Sequence, residues 1–202
     1  MGHSLRAAAL LLLIQATVAW AAPPTLSARE RQRLEAGEIV VLDVLPPGAS
    51  KSALGGTAIA IVYAPVSAVW AILIDWPNHT TLYPRITRAE VTHTDPSRVR
   101  VHYTLGIGPF PFDIYMDKYP DEARHHVRWH LAEDQPSRFF SENSGYWQVD
   151  EAGADSVVTH AVGTRTIAPD FLTRGSHRNS LIATIEALRK RATKSPRPER
   201  IR

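Results

Sequence analysis

Histidine side chains are the first candidates for chemistry, because the chain has nine histidines and no cysteine. His125 and His126 are adjacent on a predicted strand and therefore face opposite sides. His126 and His130 share a face, but four residues of strand separate them by about 13 Å, too far for one zinc ion. The HExxH and HxH motifs and an acidic cluster are all missing from the sequence. We therefore predict no metal site and no cofactor, with a site assembled from separate strands as the alternative.

Covalent catalysis has no recognisable motif, since the sequence lacks cysteine, a GxSxG elbow and an SxxK pair. Paired carboxylates for hydrolysis would have to come from three residues that strand alternation places partly on the solvent face: Asp113, Asp117 and Glu142. A cyclisation needs little more than a shaped pocket and one general acid or base. Tyr103, His160 and Arg165 are candidates for that role. His160 and Arg165 lie on opposite faces of one predicted strand, so at most one of them points inward.

Large aromatic side chains with a polar atom form a second group of candidates. Tyr103, Trp129 and Trp147 each combine an apolar body with one hydrogen-bonding group. Such side chains suit a mostly apolar pocket in which a few polar contacts fix the orientation of a ligand. In the alternative interpretation they only fill a packed core.

A series of strands must position these residues. The strands are predicted between successive turn signals, at Ile86–His93, Arg98–Leu105, Phe112–Tyr119, His125–Leu131, Phe139–Val149 and Ser156–Ile167. Short turns between them favour an antiparallel meander, because parallel neighbours need long crossover connections. Alternation predicts three inward-facing sets: Val101, Tyr103 and Leu105; Phe112, Ile114 and Met116; and Val127, Trp129 and Leu131.

The segment Thr57–Pro84 is predicted to be a strand, a turn at Pro65 and a short helix. That helix has one apolar stripe, made of Val66, Val69, Trp70 and Leu73. Pro77 interrupts the next segment, so Trp76–Tyr83 is predicted to act as a gate. At the C-terminal end, Asp170–Arg191 is predicted as the long helix that covers the apolar face of the sheet.

The N-terminal part of the sequence predicts a leader followed by a short helix. An apolar run with Ala19-Trp20-Ala21 at its end predicts a signal peptide over residues 1–21, and the run is shorter than the ~20 residues of a spanning helix. Residues 22–37 are predicted as a linker and a helix that begins at a capping box of Ser27 and Glu30. Glu38–Leu45 is predicted as the first strand.

Several motifs of this segment and of a later strand resemble the START-like helix-grip superfamily, which includes lipid-transfer domains and polyketide cyclases/dehydrases. The matching residues are Ala-Pro-x-x-x-Val-Trp at Ala64–Trp70, Asp75, Tyr83-Pro84 and Gly145-Tyr-Trp147. The resemblance covers roughly Glu38 to Lys190 and implies an α+β fold. In that fold a curved antiparallel sheet of about six or seven strands wraps around the C-terminal helix, with two short helices after the first strands.

The resemblance also implies an apolar cavity between sheet and helix, with lipid transport, sensing or cyclisation as variants. The residues predicted to line that cavity are Trp76, Tyr83, Tyr103, Phe112, Ile114, Met116, Trp129, Trp147 and His160. The predicted partner is a lipid or another hydrophobic small molecule, and a transient contact with a membrane is compatible with it. A formal net charge of +3 without a basic stripe among stacking aromatics gives no support for nucleic-acid binding.

The predicted domain spans residues 38–191, and residues 192–202 are predicted to be a disordered basic tail. Taken together, the sequence predicts an exported protein, periplasmic or secreted, that binds a hydrophobic molecule. The first alternative is a cyclase or dehydrase that uses a polar residue in the same cavity. A third interpretation is an interaction scaffold with a filled core. A sealed interior, without a pocket approaching the roughly 300 Å³ of usual ligand sites, would contradict both ligand hypotheses. An unpaired ionisable side chain buried in the cavity would favour the enzyme.

Overall fold

The computed structural model describes residues 24–107, 110–167 and 176–194. The helices are α1 (Ala28–Glu35), α2 (Val66–Leu73) and α3 (Ser176–Lys194), with 3₁₀ helices at Trp76–Thr81 and Glu122–Arg124. The strands are β1 (Val40–Leu42), β2 (Leu54–Val62), β3 (Ile86–Asp95), β4 (Arg98–Ile107), β5 (Phe110–Asp121), β6 (His126–Leu131), β7 (Phe140–Ala152) and β8 (Asp155–Thr166).

All of these strands belong to one antiparallel sheet in the order β1-β2-β8-β7-β6-β5-β4-β3. The predicted meander from β3 to β8 is confirmed, and β2 returns to pair with β8. The described residues form eight strands rather than six or seven. The individually predicted strands already add up to eight, including the first strand, which forms as β1 and pairs with β2, so the lower number comes from the resemblance alone.

Helix α3 covers the inner face of this sheet, as predicted. Its residues Leu181, Ile185, Leu188 and Ala192 are buried, and it contacts β2 more than any other element. Its described part spans Ser176–Lys194, so residues 192–194 are helical rather than part of a disordered tail, and the predicted start of the helix at Asp170 lies outside the described residues. The predicted leader and residues 195–202 of the predicted tail lie outside the described residues.

The short N-terminal elements form where local signals predict them. Ser27 and Glu30 make the reciprocal hydrogen bonds of a capping box at the start of α1. Pro65 precedes the first turn of α2, and the predicted stripe of this helix is buried. No helix among the described residues is long and apolar enough to cross a membrane.

Strand alternation places the polar and apolar side chains as predicted. Val101, Tyr103 and Leu105 are buried on the inner face, whereas Arg100, His102 and Thr104 are only partly buried on the outer face. The same holds for Ile114 and Met116. The fold is therefore the helix-grip arrangement that the sequence predicts.

Candidate functional site

A cavity of about 190 Å³ lies between the inner face of the sheet and the first turns of α3. Exposed residues at its rim, such as Arg85 and Ser180, show that it opens to solvent. Its walls are mainly apolar and aromatic, and they comprise Gly55, Tyr83, Pro84, Arg85, Ile86, Tyr103, Leu105, Ile114, Met116, Lys118, Trp129, Phe139, Phe140, Asn143, His160, Val162, Thr164, Thr166, His177, Ser180, Leu181 and Thr184. Usual ligand sites measure about 300–1,000 Å³. This cavity therefore suits a small ligand or must widen for a long-chain lipid.

Two surface grooves are larger, at about 490 and 360 Å³. The first follows the segment from His130 to Ser144, and the second lies between Thr92 and Gln135. Neither is enclosed between the sheet and α3. The smaller cavity is the better candidate, because enclosure by apolar walls removes a ligand from water.

The structure brings together six of the nine predicted cavity residues: Tyr83, Tyr103, Ile114, Met116, Trp129 and His160. The other three, Trp76, Phe112 and Trp147, do not line the cavity. Phe112 packs against Phe139, with ring centroids 4.9 Å apart. Trp147 lies behind His160 and stacks on it at 3.8 Å. That any of these residues contacts a ligand remains a prediction.

Trp76 belongs to the packed core instead of a gate. Its ring meets the His79 ring edge-on at 5.2 Å, and its side chain is almost fully buried. Arg191 of α3 holds this segment through Asp75 at 2.8 Å and the Asn78 carbonyl at 3.2 Å. The segment around Pro77 therefore forms a 3₁₀ helix, and hydrogen bonds from Arg191 fix its position against α3. Of the predicted gate, only Tyr83 reaches the cavity.

Lys118 is the cavity residue that the sequence prediction missed. It follows Ile114 and Met116 at the same period of two along β5, so alternation alone places it on the inner face. It is 4% exposed, and its Nζ lies 4.5 Å from the Trp129 ring and 5.4 Å from the Tyr103 ring. Those aromatic faces give the amine its main contacts.

The Lys118 amine has no anionic partner among the described residues, and no carboxylate is among the residues that line the cavity there. Burial lowers the pKa of Lys118 to about 7. A charged amine in an apolar site without a counter-ion is costly, so the neutral form becomes competitive near neutral pH. Such a group is available to a ligand, since no hydrogen bond or ion pair with the described residues occupies it.

A buried hydrogen-bond chain lies beside the lysine. His79 Nε2 lies 3.0 Å from the Leu73 carbonyl, so this nitrogen carries the proton and donates. His79 Nδ1 then accepts from the Tyr103 hydroxyl at 2.7 Å. Burial, with Lys118 as a second cause, lowers the pKa of His79 to about 3. His79 is thus a neutral support that fixes the orientation of Tyr103.

Tyr83 and His160 present unused polar atoms. Trp147 Nε1 donates to the Tyr83 hydroxyl at 2.9 Å, and the proton of that hydroxyl has no acceptor among the described residues. Burial raises the pKa of Tyr83 to about 12 and lowers the pKa of His160 to about 3. Nδ1 of His160 and Nε2 of His177 are buried without a hydrogen-bond partner in the described structure. The described lining of the cavity thus offers the Tyr83 hydroxyl proton and the Lys118 amine, and it includes no carboxylate.

The carboxylates considered for hydrolysis lie elsewhere. Asp113 is exposed on the outer face of the sheet, Asp117 is bound by arginines there, and Glu142 accepts from the Ser50 amide at 2.8 Å. Arg165 is also exposed, whereas His160 points inward. Within the described ranges, no three His, Cys, Asp or Glu side chains are grouped as a metal site would require.

No protein-family model matches the sequence, and no curated protein matches it. Solved structures of the same shape are found at low sequence identity. The Zhui aromatase/cyclase from Streptomyces sp. R1128 is 18% identical, with a TM-score of 0.57, over 68% of this chain and 92% of that chain. A STAR-related lipid transfer protein from Xanthomonas axonopodis (fragment 25–204) is 14% identical, with a TM-score of 0.59, over 77% and 99% of the two chains.

A START superfamily protein from Mycobacterium smegmatis is also similar, with 14% identity, a TM-score of 0.58 and coverage of 68% and 96%. Identities this low establish the fold alone. The chain therefore has a START-like helix-grip fold of the kind found in lipid-transfer and cyclase proteins.

Proposed function

We propose that this protein is an exported domain that binds a lipid or another hydrophobic small molecule in the cavity between the sheet and α3. The observation that carries the proposal is the cavity itself, which is enclosed by apolar walls and opens to solvent at one end. A protein that needed only a stable core would fill this space, because close packing is worth more than a void. The fold shared with lipid-transfer proteins supports the same function.

The proposal is tested by filling the cavity. Val162 lines it and is half-buried, so Val162→Trp places a bulky ring in the binding space. Val91→Trp is the matched control, because Val91 is exposed on β3 outside the cavity. Binding of an apolar fluorescent probe such as a dansylated fatty acid should weaken about tenfold or more in the first variant and stay unchanged in the second.

Solvent extraction of the purified protein, followed by mass spectrometry, supplies an independent measurement. A co-purified apolar molecule that the Val162→Trp variant lacks supports binding. Failure of the native protein to bind any apolar probe, with nothing extracted from it, would overturn the proposed function.

A second candidate, a cyclase or dehydrase, is favoured by one specific observation. Lys118 and His160 are ionisable, buried in the cavity wall and not paired with a carboxylate. Unpaired bases in a pocket can serve as general acid or base. Incubation with a short poly-β-keto thioester tests this: loss of water that disappears in a His160→Phe or Lys118→Met variant supports the enzyme. An unchanged substrate excludes this candidate for such thioesters.

A further inference from the structure

The Lys118 amine stands at the inner part of a cavity whose described lining contains no opposite charge. Of the three elements of the wall nearest to it, β4 contributes Tyr103, β6 contributes Trp129 and β8 contributes His160. None of these side chains can act as an anion at ordinary pH. The carboxylates of the same strand, Asp113, Asp117 and Asp121, alternate with Lys118 and belong to the opposite face.

Burial of an uncompensated amine is unfavourable for the protein alone. The Tyr103 and Trp129 rings recover only part of the lost hydration, because the attraction between a cation and an aromatic face is weak compared with the cost of burying an unpaired ammonium group. A methionine at this position would pack equally well and would need no solvation. The lysine is therefore explained better by something that enters the cavity than by the folded chain.

A second polar group of the cavity acts in the same direction. The Tyr83 hydroxyl accepts from Trp147 Nε1 and has a proton to donate that no described residue accepts. Arg85 adds a second positive charge at the rim. Donors and cations dominate, so the complementary ligand must supply acceptor oxygens and a negative charge.

We infer that the ligand is an amphiphile whose carboxylate binds the Lys118 amine while its apolar part fills the space beside Met116, Ile114 and Leu105. This inference rests on the proposed binding function and specifies the class of its ligand. A carboxylate fits better than a phosphate, because one buried lysine balances one charge. The cavity of about 190 Å³ favours a short-chain or aromatic acid over a long-chain fatty acid.

Isothermal titration calorimetry at pH 6 tests the inference with matched pairs of probes. Octanoate is compared with 1-octanol, and 2-naphthoate with 2-naphthalenemethanol, so that each pair differs mainly in the charged group. The native protein should bind an acid about 10- to 100-fold more tightly than its alcohol, as expected for a charge-assisted hydrogen bond. The octanoate and naphthoate results distinguish an aliphatic from an aromatic ligand.

Lys118→Met should remove this preference and leave the binding of the alcohols unchanged or stronger. Lys51→Met is the control, because Lys51 is an exposed lysine in the loop before β2. It should behave like the native protein. If Lys118→Met does not fold, Arg85→Met decides between the two cations of the cavity: a preference for acids that survives this variant supports Lys118, and a preference that disappears overturns the inference.

The outcomes separate the two proposals. Equal binding of acids and alcohols, or a preference that survives Lys118→Met, overturns the carboxylate inference and leaves the binding function standing. Absence of binding by all four probes overturns the inference for these ligands. Only the further absence of binding by the dansylated probe overturns the proposed function itself.

Discussion

Asp117 and Lys118 are neighbours on β5 and are almost equally buried, at 3% and 4% exposure. Among the described residues, however, only the charge of Asp117 is paired with an opposite charge. Asp117 faces outward and accepts from Arg100 at 2.7 and 2.9 Å and from Arg98 at 3.4 Å. Arg100 in turn reaches Asp134 at 2.8 Å. Lys118 faces inward and meets only aromatic rings.

The difference shows what each face of the sheet is for. On the outer face the charge of Asp117 is balanced inside the chain, and the Arg100 hydrogen bonds are the first cause that lowers the pKa of Asp117. Such pairing supports the fold. On the inner face the charge is left unbalanced, at a cost in stability that binding can offset. Substitutions at the two positions should therefore have effects of opposite sign.

The largest expected effect is the loss of the outer partner. Asp117→Ala leaves Arg100 without its bidentate partner in a mostly buried place, which should lower the free energy of unfolding by roughly 3 kcal/mol. Urea denaturation measures the change. Glu90→Ala is the control, because the Arg88–Glu90 pair is exposed and should contribute less than about 1 kcal/mol. An Asp117→Ala variant as stable as the control would show that the outer pairing is not structural.

Removal of the inner charge should have the opposite sign. Lys118→Met should raise the free energy of unfolding of the ligand-free protein by about 1–3 kcal/mol near pH 7, because an unpaired amine no longer has to be buried. The Lys118 pKa falls from 10.5 to about 7 on folding, so the unfolded chain binds the extra proton between these values. The free-energy cost of burying the Lys118 amine is therefore absent above pH 10.5 and reaches its full value below about pH 7.

The gain from Lys118→Met should follow that profile in urea titrations at several pH values, while Lys51→Met should show no gain at any of them. If Lys118→Met is less stable than the native protein, the amine has a structural role, and the contrast drawn between Asp117 and Lys118 is wrong.

The next effect, about 2 kcal/mol for His160 between pH 6 and pH 4.5, is expected from acid. Burial lowers the pKa of both His79 and His160 from 6.5 to about 3, so the unfolded chain takes up protons first. Their contribution to stability is complete above pH 6.5 and falls towards pH 3, by about 1.4 kcal/mol per pH unit for each histidine. His160→Phe should reduce this slope between pH 6 and 4.5, whereas His93→Phe, at an exposed position, should not. Equal slopes of stability against pH in the native protein and in His160→Phe would show that folding does not lower the pKa of His160.

The smallest effect concerns the hydroxyl of Tyr83. Tyr83→Phe removes the acceptor of Trp147 Nε1 and should cost about 1 kcal/mol in urea denaturation. The same variant should weaken the binding of octanoate, because the free hydroxyl proton is lost, and should leave 1-octanol binding nearly unchanged. A loss of stability without any change in octanoate binding would show that Tyr83 supports the fold and does not contact the ligand.

Much of the fold could be predicted from local patterns. Period-two alternation places Tyr103, Met116 and Trp129 on the inner face, because side-chain direction along a strand depends on the backbone alone. Pro65 predicts the start of α2 for an equally local reason. Turn signals between β3 and β8 predict an antiparallel sheet.

The contacts of the site could not be predicted in the same way. The Tyr103–His79 hydrogen bond joins β4 to a 3₁₀ helix 24 positions earlier, and no local pattern encodes that approach. Trp76 was predicted in a gate because Pro77 breaks the helix, but tertiary bonds from Arg191 hold the broken segment. Lys118 was missed for a different reason. Its position was predictable, but a charged residue on an apolar face is not expected there.

A crystal structure of the protein with octanoate would show directly which cation binds the carboxylate. We expect the carboxylate within about 3 Å of Lys118 Nζ, the length of a charge-assisted hydrogen bond, with the alkyl chain against Met116 and Leu105. A carboxylate at the rim beside Arg85, with the alkyl chain directed towards Lys118, would contradict it.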